Sequence, residues 1–367
     1  MNLEKKVKSI LFKIKLDGDG VVNYDSNDQK TMYSNSNLFH KMKSGDKNQF
    51  NNQLYAKKNY YLIDNELAYK LKISSNCLRQ NIFREDVPIQ ASQIVNDPIT
   101  LMSALASPGM LLRGYMLADA VNPYKRKGVL SITDAEQTCD AVSSIETFSK
   151  SGMKNQDGAT SDNTFFKKET VGKIQYAAHG SIDLERLQFV SSDNVFDRLA
   201  FNPDMFKLYS QLLKGHLSTF ESELGYYQMI NSVVRIPEIG YIMSDDNMVI
   251  LVKSLFERLM KIGINKAGGS AQIVELEYKL VFDAIDDTIY SEDGWIKLSK
   301  RADLDNITFK PEQFYALENN ADAIALRDAM AADYASKNNA KKKEKADEAV
   351  VKAKAKAEKE LKSPKSK

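Results

Sequence analysis

Ser9-Ile-Leu-Phe-Lys-Ile-Lys-Leu16 places Ile10, Phe12, Ile14 and Leu16 at alternate positions, with Lys13 and Lys15 between them. This period-two pattern belongs to a strand with one buried face and one wet face. Asp17-Gly-Asp-Gly20 follows and carries turn chemistry, so a hairpin end is expected there. The same alternation returns late in the chain, from Gln272 to Phe282, with Val274, Leu276, Tyr278, Leu280 and Phe282 expected inward. Two longer periodic stretches read as helices. One runs from Asn202-Pro203 to Leu224, with a stripe of Phe206, Tyr209, Leu213, Leu217, Phe220 and Leu224 and a stop at Gly225. The other runs from Ser244 to Ile262, with Leu251, Leu255 and Leu259, and stops at Gly263.

Between these stretches the signals alternate. Asp97-Pro98 opens a helix with Asp as cap and Pro at its first position; it should end before Pro108, and Gly109 to Ala118 reads as a second short helix. Strands are expected at Val129–Ile132 and Val142–Phe148, although Thr133-x-x-Glu136 could equally cap a helix. Lys173–Tyr176 and Ile182–Phe189 flank His179-Gly180 and read as a hairpin; Tyr226–Ile236 and Gly240–Met243 read as strands. Strands and helices in this order predict an α+β protein built on a mixed sheet with long insertions. The insertions fall at about 27–59 and 149–170, both rich in polar residues. A single body is expected over 1–318. The Ala/Lys/Glu-rich segment 319–367 reads as a helical to disordered basic tail with almost no apolar anchors past Asn338.

The chain has 367 residues, 43% of them apolar, including 16 Phe and 17 Tyr, ample for a core. Its formal charge of +2 is unevenly spread. Residues 337–367 hold 12 Lys against 5 Asp and Glu, a balance of +7, so the body carries 39 basic and 44 acidic residues, or −5. A body of that sign does not coat nucleic acid indiscriminately; any such site must be a local concentration of cations. Cys77 and Cys139 are the only cysteines and read as free thiols. His40, His179 and His216 show no metal-ligand spacing, so neither metal nor cofactor is expected. No apolar run has membrane-spanning length and no leader pattern opens the chain, which predicts a cytoplasmic protein with no membrane partner.

The candidate binding chemistry begins at Ile73-Ser-Ser-Asn-Cys-Leu-Arg-Gln-Asn-Ile-Phe-Arg84. Ser75 or Asn76 can cap a short helix whose first-turn amides are free. Arg79 and Arg84 can reach outward, while Leu78, Ile82 and Phe83 anchor it. Arg79 is favoured over Arg84, which stands beside Glu85 and Asp86 and can be neutralised by ion pairing. Further cations sit beside aromatics or glycines: His40 and Lys41; Lys57-Lys58 beside Tyr60-Tyr61; Arg113-Gly-Tyr115; Lys125 and Arg126 within Tyr124–Lys127; Lys150 and Lys154; Phe166, Lys167 and Lys168. Lys266 with Gly268 and Gly269 can wrap a phosphate with backbone amides, though a helix-to-strand connector explains that loop as well. Cations hold a phosphate backbone and aromatic faces stack on bases, the chemistry by which single-stranded RNA is gripped. Each cluster alone reads first as ordinary solvated surface; together they shift the balance toward RNA.

Enzyme signatures fail on mechanics. Ser151-Gly-Met-Lys154 and Ser161-Asp-Asn163 resemble serine β-lactamase elements, but lie in one polar loop about ten residues apart, and Lys266-Ala-Gly268 lacks its Ser or Thr. Gly263 to Gly268 has the glycine spacing of a P-loop, but Gly269-Ser270 replaces the required Lys-Ser/Thr. Asp17-Gly-Asp-Gly-Val21 starts like a calcium loop, then offers Val at the third ligand position.

Four short motifs carry a family resemblance: the turn Ser75, Asn76, Arg79; Leu112-Arg-Gly-Tyr115; Phe148-Ser-Lys-Ser-Gly152 leading to Phe165-Phe-Lys-Lys-Glu-Thr-Val-Gly172; and Lys266-Ala-Gly-Gly269. Together, across about residues 5–310, they resemble the backbone subunit of class 1 CRISPR-Cas effector complexes. This is the repeated guide-coating protein of Cascade, most like that of a type I-F variant or a type IV system. The resemblance implies an RNA-recognition-like (ferredoxin-like) palm with helical, loop and hairpin insertions. It implies copies that polymerise along CRISPR RNA, other effector subunits as partners, and target DNA engaged by way of the guide. Ser151–Lys168 or Lys30–Lys58 would supply an interlocking thumb. Type I backbones are non-catalytic; type III relatives cut target RNA with a loop aspartate, and no isolated acidic motif here identifies one. The basic tail has no counterpart in this resemblance. A metal-dependent nuclease and a self-assembling phage or mobile-element structural protein remain the alternative readings.

Overall fold

Alternation over Ser9–Leu16 produces the strand it predicts, and that strand, β1 (Ser9–Gly20), is the centre of the molecule. The computed structural model describes residues 6–25, 53–63, 66–86, 97–117, 124–150, 164–193, 198–221, 224–233, 236–266, 268–282, 293–318 and scattered positions of 321–343. Ile10, Phe12, Ile14 and Leu16 are buried in a continuous core. On either side β1 pairs antiparallel with β12 (Lys173–Asp183) and β17 (Gly269–Val281). Beyond β17 lies β16 (Gly263–Lys266); beyond β12 lie β9 (Ala135–Gln137), β5 (Glu66–Ile73) and β4 (Lys58–Ile63). Two short strands, β8 (Leu130–Ile132) and β18 (Ile296–Leu298), pair with β12 and β17.

A second sheet runs β10 (Ser143–Lys150), β11 (Thr164–Val171), β3 (Gln53–Ala56), β2 (Tyr24–Asp25). A third runs β13 (Phe189–Ser191), β15 (Glu238–Ile242), β14 (Gly225–Met229), β19 (Tyr315–Leu317). A ribbon of β6 (Tyr115–Leu117) and β7 (Tyr124–Arg126) stands apart. The helices are α1 (Ser75–Ile82), α2 (Pro98–Ala106), α3 (Pro108–Arg113), α4 (Leu184–Gln188), α5 (Phe206–His216) and α6 (Asp245–Met260). α6, capped by the Ser244 hydroxyl, buries Leu251, Leu255, Phe256 and Leu259 and packs on β17. Beside it, Phe201, Tyr209 and Tyr241 stack at centroid distances of 4.2 to 6.3 Å. The architecture is α+β, with few helices and with sheets that are antiparallel apart from the parallel β11–β3 pair, as the element order predicts.

Several boundaries differ from the sequence reading. Asp17-Gly-Asp-Gly20 is not a turn; β1 continues to Gly20 and pairs on both sides. His179-Gly180 is also no turn. Gly180 lies inside β12 because the Phe12 ring occupies the space of its missing side chain: a Cβ there would fall 2.1 Å from Phe12 Cζ and 2.5 Å from the Ser131 carbonyl oxygen. Thr133-x-x-Glu136 caps no helix and leads into β9. The 202–224 helix shrinks to a 3-10 turn, Pro203–Met205, followed by α5, although Leu217 and Phe220 beyond it are buried. Periodicity there recorded burial rather than helix, and Phe206 at the start of the stripe is exposed. The expected loop at 27–59 gives way at its end to β3 and the start of β4; its residues 27–52 lie outside the described residues.

The alternation in β17 changes phase. Lys15 pairs with Glu275 and Leu16 with Ile273, so Val274 is an unpaired bulge residue, 49% exposed instead of inward. Ala271 is buried on one side of the bulge, Leu276 and Tyr278 on the other; Phe282 also ends up exposed. In the segment read as a coreless tail, Arg327 is buried. Its guanidinium contacts the Asp193 carboxylate at 3.0 Å and donates to the Tyr226 hydroxyl at 2.9 Å.

Candidate nucleic-acid interface

α1 forms because Ser74, rather than Ser75 or Asn76, caps it. The Ser74 hydroxyl accepts from the Cys77 amide at 3.4 Å and from the Asn23 amide group at 2.9 Å. Its first-turn amides are not free, contrary to the sequence reading. The Ser75 amide donates to the Asp134 carboxylate at 2.7 Å, which in turn holds Lys72 at 2.8 Å. Burial alone would raise the Asp134 carboxyl, but the Lys72 ammonium and the Ser75 amide outweigh it and hold the group below the usual carboxylate range. A carboxylate therefore already occupies the helix end offered to a phosphate.

The inward face of α1, Leu78 and Ile82 with the following Phe83, turns Arg79 toward the end of α3. Arg79 donates to the Arg113 carbonyl at 3.3 Å. Arg113 is exposed, and the chain turns sharply after it at Gly114, whose φ of +73° favours glycine. A Cβ at Gly114 would lie 2.3 Å from the Gly128 nitrogen, so the Arg113-Gly114 and Lys127-Gly128 backbones cross in contact. Two arginines from unrelated sequence motifs, with the exposed Lys127, thus stand at one crossing. Arg84 is committed elsewhere. It donates to the Gly263 carbonyl at 3.0 Å and braces β16, while Asp86 pairs with Arg258 at 3.0 Å rather than with Arg84.

A second cluster gathers at the other end of α1. Lys168 lies 4.9 Å from the Tyr24 ring centroid. Gly268 nestles against both: a Cβ there would lie 2.7 Å from a Tyr24 ring atom and 2.8 Å from Lys168 Nζ. The Gly268 carbonyl accepts from the Val21 amide at 2.9 Å, which seats the β16–β17 turn on the end of β1. That turn is a β-hairpin rather than a helix-to-strand connector. Burial, then the Glu169 and Glu146 carboxylates, push the Tyr24 hydroxyl up to about 12, so it is neutral at physiological pH. Burial raises the Cys77 thiol, and the Lys266 and Lys57 ammonium groups pull it back, which puts two more cations near the start of α1. Lys58, by contrast, is spent on buried Glu169 at 2.7 Å, a pair that ties β4 to β11.

Arg126 requires a correction as a surface contact. Its guanidinium is buried and donates to the carbonyls of Leu111, Phe189 and Arg186 at 3.1, 2.8 and 3.0 Å. Lys125 lies in β7, its amide donating to the Leu199 carbonyl at 2.8 Å. Asn76 is exposed at the start of α1. Gly269 packs against the Asp19 carbonyl. Lys150, Phe166 and Lys167 sit on the β10–β11 ladder, with Phe166 opposite Phe148. His40, Lys41 and Lys154 lie outside the described residues, as do most of both thumb candidates. Sequence reading missed Tyr24, which stood at the edge of a presumed loop and carries no local signal of its partners Lys168 and Gly268. Among the described residues no group of three or more His, Cys, Asp or Glu side chains could hold a metal, and no helix is long and apolar enough to cross a membrane.

A family model described as Type I-Fv CRISPR-associated protein Cas7fv-like matches residues 6–284. Among solved structures, a chain of a "CRISPR RNA-guided surveillance complex, pre-nicking" shares 8% identity at a TM-score of 0.36, covering 78% of this chain and 82% of that one. A chain of a "Type IV-B CRISPR Complex" shares 12% identity at 0.23, covering 47% and 73%. No curated protein sequence matches.

Proposed function

Because the chain belongs to the type I-Fv CRISPR-associated Cas7fv-like family, we propose that it binds CRISPR RNA as a non-catalytic backbone subunit, gripping the guide along the two faces flanking α1. The observation that carries this reading is convergence: Arg79, Arg113 and Lys127 at one end of α1, and Lys57, Lys168 and Lys266 about the other, on a body whose net charge is −5. On an acidic body such a local gathering of cations is what a phosphate backbone requires. Phosphate contacts carry no sequence information, so binding is independent of the spacer. The palm is RNA-recognition-like on this reading. In its support, β1, the helices α1 to α3, β9, β12, α6 and β17 follow in the order β-α-β-β-α-β, and the four strands stand as β17-β1-β12-β9, all antiparallel. Copies would line up along the spacer and present it for pairing with target DNA, in company with other effector subunits. Of the two thumb candidates, Ser151–Lys168, whose described end lies in β11 paired with β10, is then the interlocking one.

The combined Arg79→Ala and Arg113→Ala substitutions should weaken CRISPR RNA binding equally for unrelated spacers. They should also lower the magnitude of the slope of log affinity against log salt by about 1.4, about 0.7 for each single-strand phosphate that is no longer neutralised. Unchanged affinity, slope and assembly would overturn the assignment. With magnesium added, the assembled complex should leave both guide and target intact; cleavage would favour a nuclease instead.

A further inference from the structure

Close to the Arg113 crossing, a cavity of about 190 Å³ opens between α4, β13, the last residue of β7 and the first of β19. Four cations line it, Arg126, Lys127, Arg186 and Arg198, against a single carboxylate, Glu185. Their charges are compensated unequally. Arg198 is held by both oxygens of Glu238, and Arg186 lies 3.0 Å from Asp183. Arg126 has no such partner. It is 7% exposed, its three hydrogen bonds go to neutral carbonyls, and among the described residues no carboxylate pairs with it. Phenols, Tyr115, Tyr209 and Tyr315, are its electrostatic neighbours, and burial lowers its pKa without a carboxylate to oppose the shift. An arginine remains charged even so, and a buried charge without a counter-ion is costly. Lys127 at the mouth is exposed and adds a second positive charge.

We propose that this cavity binds one phosphate group, whose negative charge completes Arg126 and whose oxygens are held by the surrounding guanidinium and ammonium donors. A tetrahedral oxyanion suits the site. The cavity is small and cationic, guanidinium groups match phosphate oxygens in a planar fork, and Lys127 joins it directly to the Arg79–Arg113 crossing. The phosphate comes either from the guide backbone, in which case the cavity is an end station of the proposed RNA track, or from free phosphate or a mononucleotide. The inference rests on the proposed function only for the first source.

The test uses the full chain freed of RNA. Inorganic phosphate is titrated against chloride at constant ionic strength, with the melting temperature and calorimetric binding as readouts. Saturable stabilisation by phosphate is expected, and Lys127→Glu, at an exposed position that leaves the fold intact, should weaken it at least fivefold. Arg79→Ala with Arg113→Ala should leave phosphate binding unchanged, so a failure of the RNA reading and a failure of this one are separable. Competition between phosphate and a short oligoribonucleotide identifies the guide backbone as the source; undiminished phosphate binding in the presence of bound RNA identifies a free phosphate. Absence of a saturable effect beyond chloride, or an effect that Lys127→Glu does not alter, would overturn the proposal, as would a cavity occupied only by a carboxylate of another copy.

Discussion

Asp134 decides how the start of α1 can be used. Its carboxylate bridges Lys72 and the Ser75 amide, fixing β5 and the helix in one arrangement. Removing that charge with Asp134→Asn should cost about 1 kcal/mol, the scale of a helix-cap or charge-assisted hydrogen bond. The pH dependence follows from the depressed carboxyl. The stabilisation is complete above the unfolded value of about 3.9 and is lost as pH falls through the lower folded value. Urea denaturation at pH 6 and pH 3 should therefore show the gap between wild type and variant narrowing on acidification; a constant gap would refute the ionic role. At this scale the sequence was only partly legible. Ser74, Ser75 and Asn76 are all good caps, so the cap could be assigned to the right turn but not the right residue. Arg126 carries no sign of its burial, because its partners are carbonyls of Leu111, Arg186 and Phe189, up to 63 positions away.

Elements were legible where burial alternates without interruption, as in β1, or where a cap and a stop bracket an apolar stripe, as in α6. They were misread where a small residue serves packing rather than turning. Gly180 in β12 is the clearest case, and its role is measurable. Gly180→Ala would force a methyl into the Phe12 ring and should destabilise by about 1–3 kcal/mol or more. Gly172→Ala, one strand boundary away with no neighbouring atom within 4 Å of its Cβ position, should change stability by no more than about 0.5 kcal/mol. Equal denaturation midpoints for the two variants would contradict the packing account of the strand.

Across the whole molecule, charge is arranged in layers: an acidic body, cations gathered about α1, and a basic segment after residue 337. Arg327 ties the tail that leads into this segment, 319–367, to the third sheet through Asp193 and Tyr226, the guanidinium lying 4.4 Å from the Tyr226 ring centroid. Composition hid this anchor, since one arginine among many lysines and alanines has no periodic signature. Arg327→Met leaves Asp193 buried without its cation and should cost about 3–5 kcal/mol in a thermal or urea melt. Pairing it with Asp193→Asn should recover much of that stability, because both charges are then gone. Failure of the second change to compensate would mean that the anchor is packing rather than charge.

The bulge in β17 gives the longest strand of the central sheet a spare residue. Ala271 and Ile273 before it, and Leu276 and Tyr278 after it, all occupy the core side only because Val274 is skipped in the pairing with β1. A chain lacking Val274 would pair without interruption and still send each of those four side chains inward, with the β16–β17 turn unshifted in facing. A residue added or removed farther along the strand would reverse them. Length variation among relatives is accordingly expected at this point of the strand, where one residue can come or go without any neighbour changing sides.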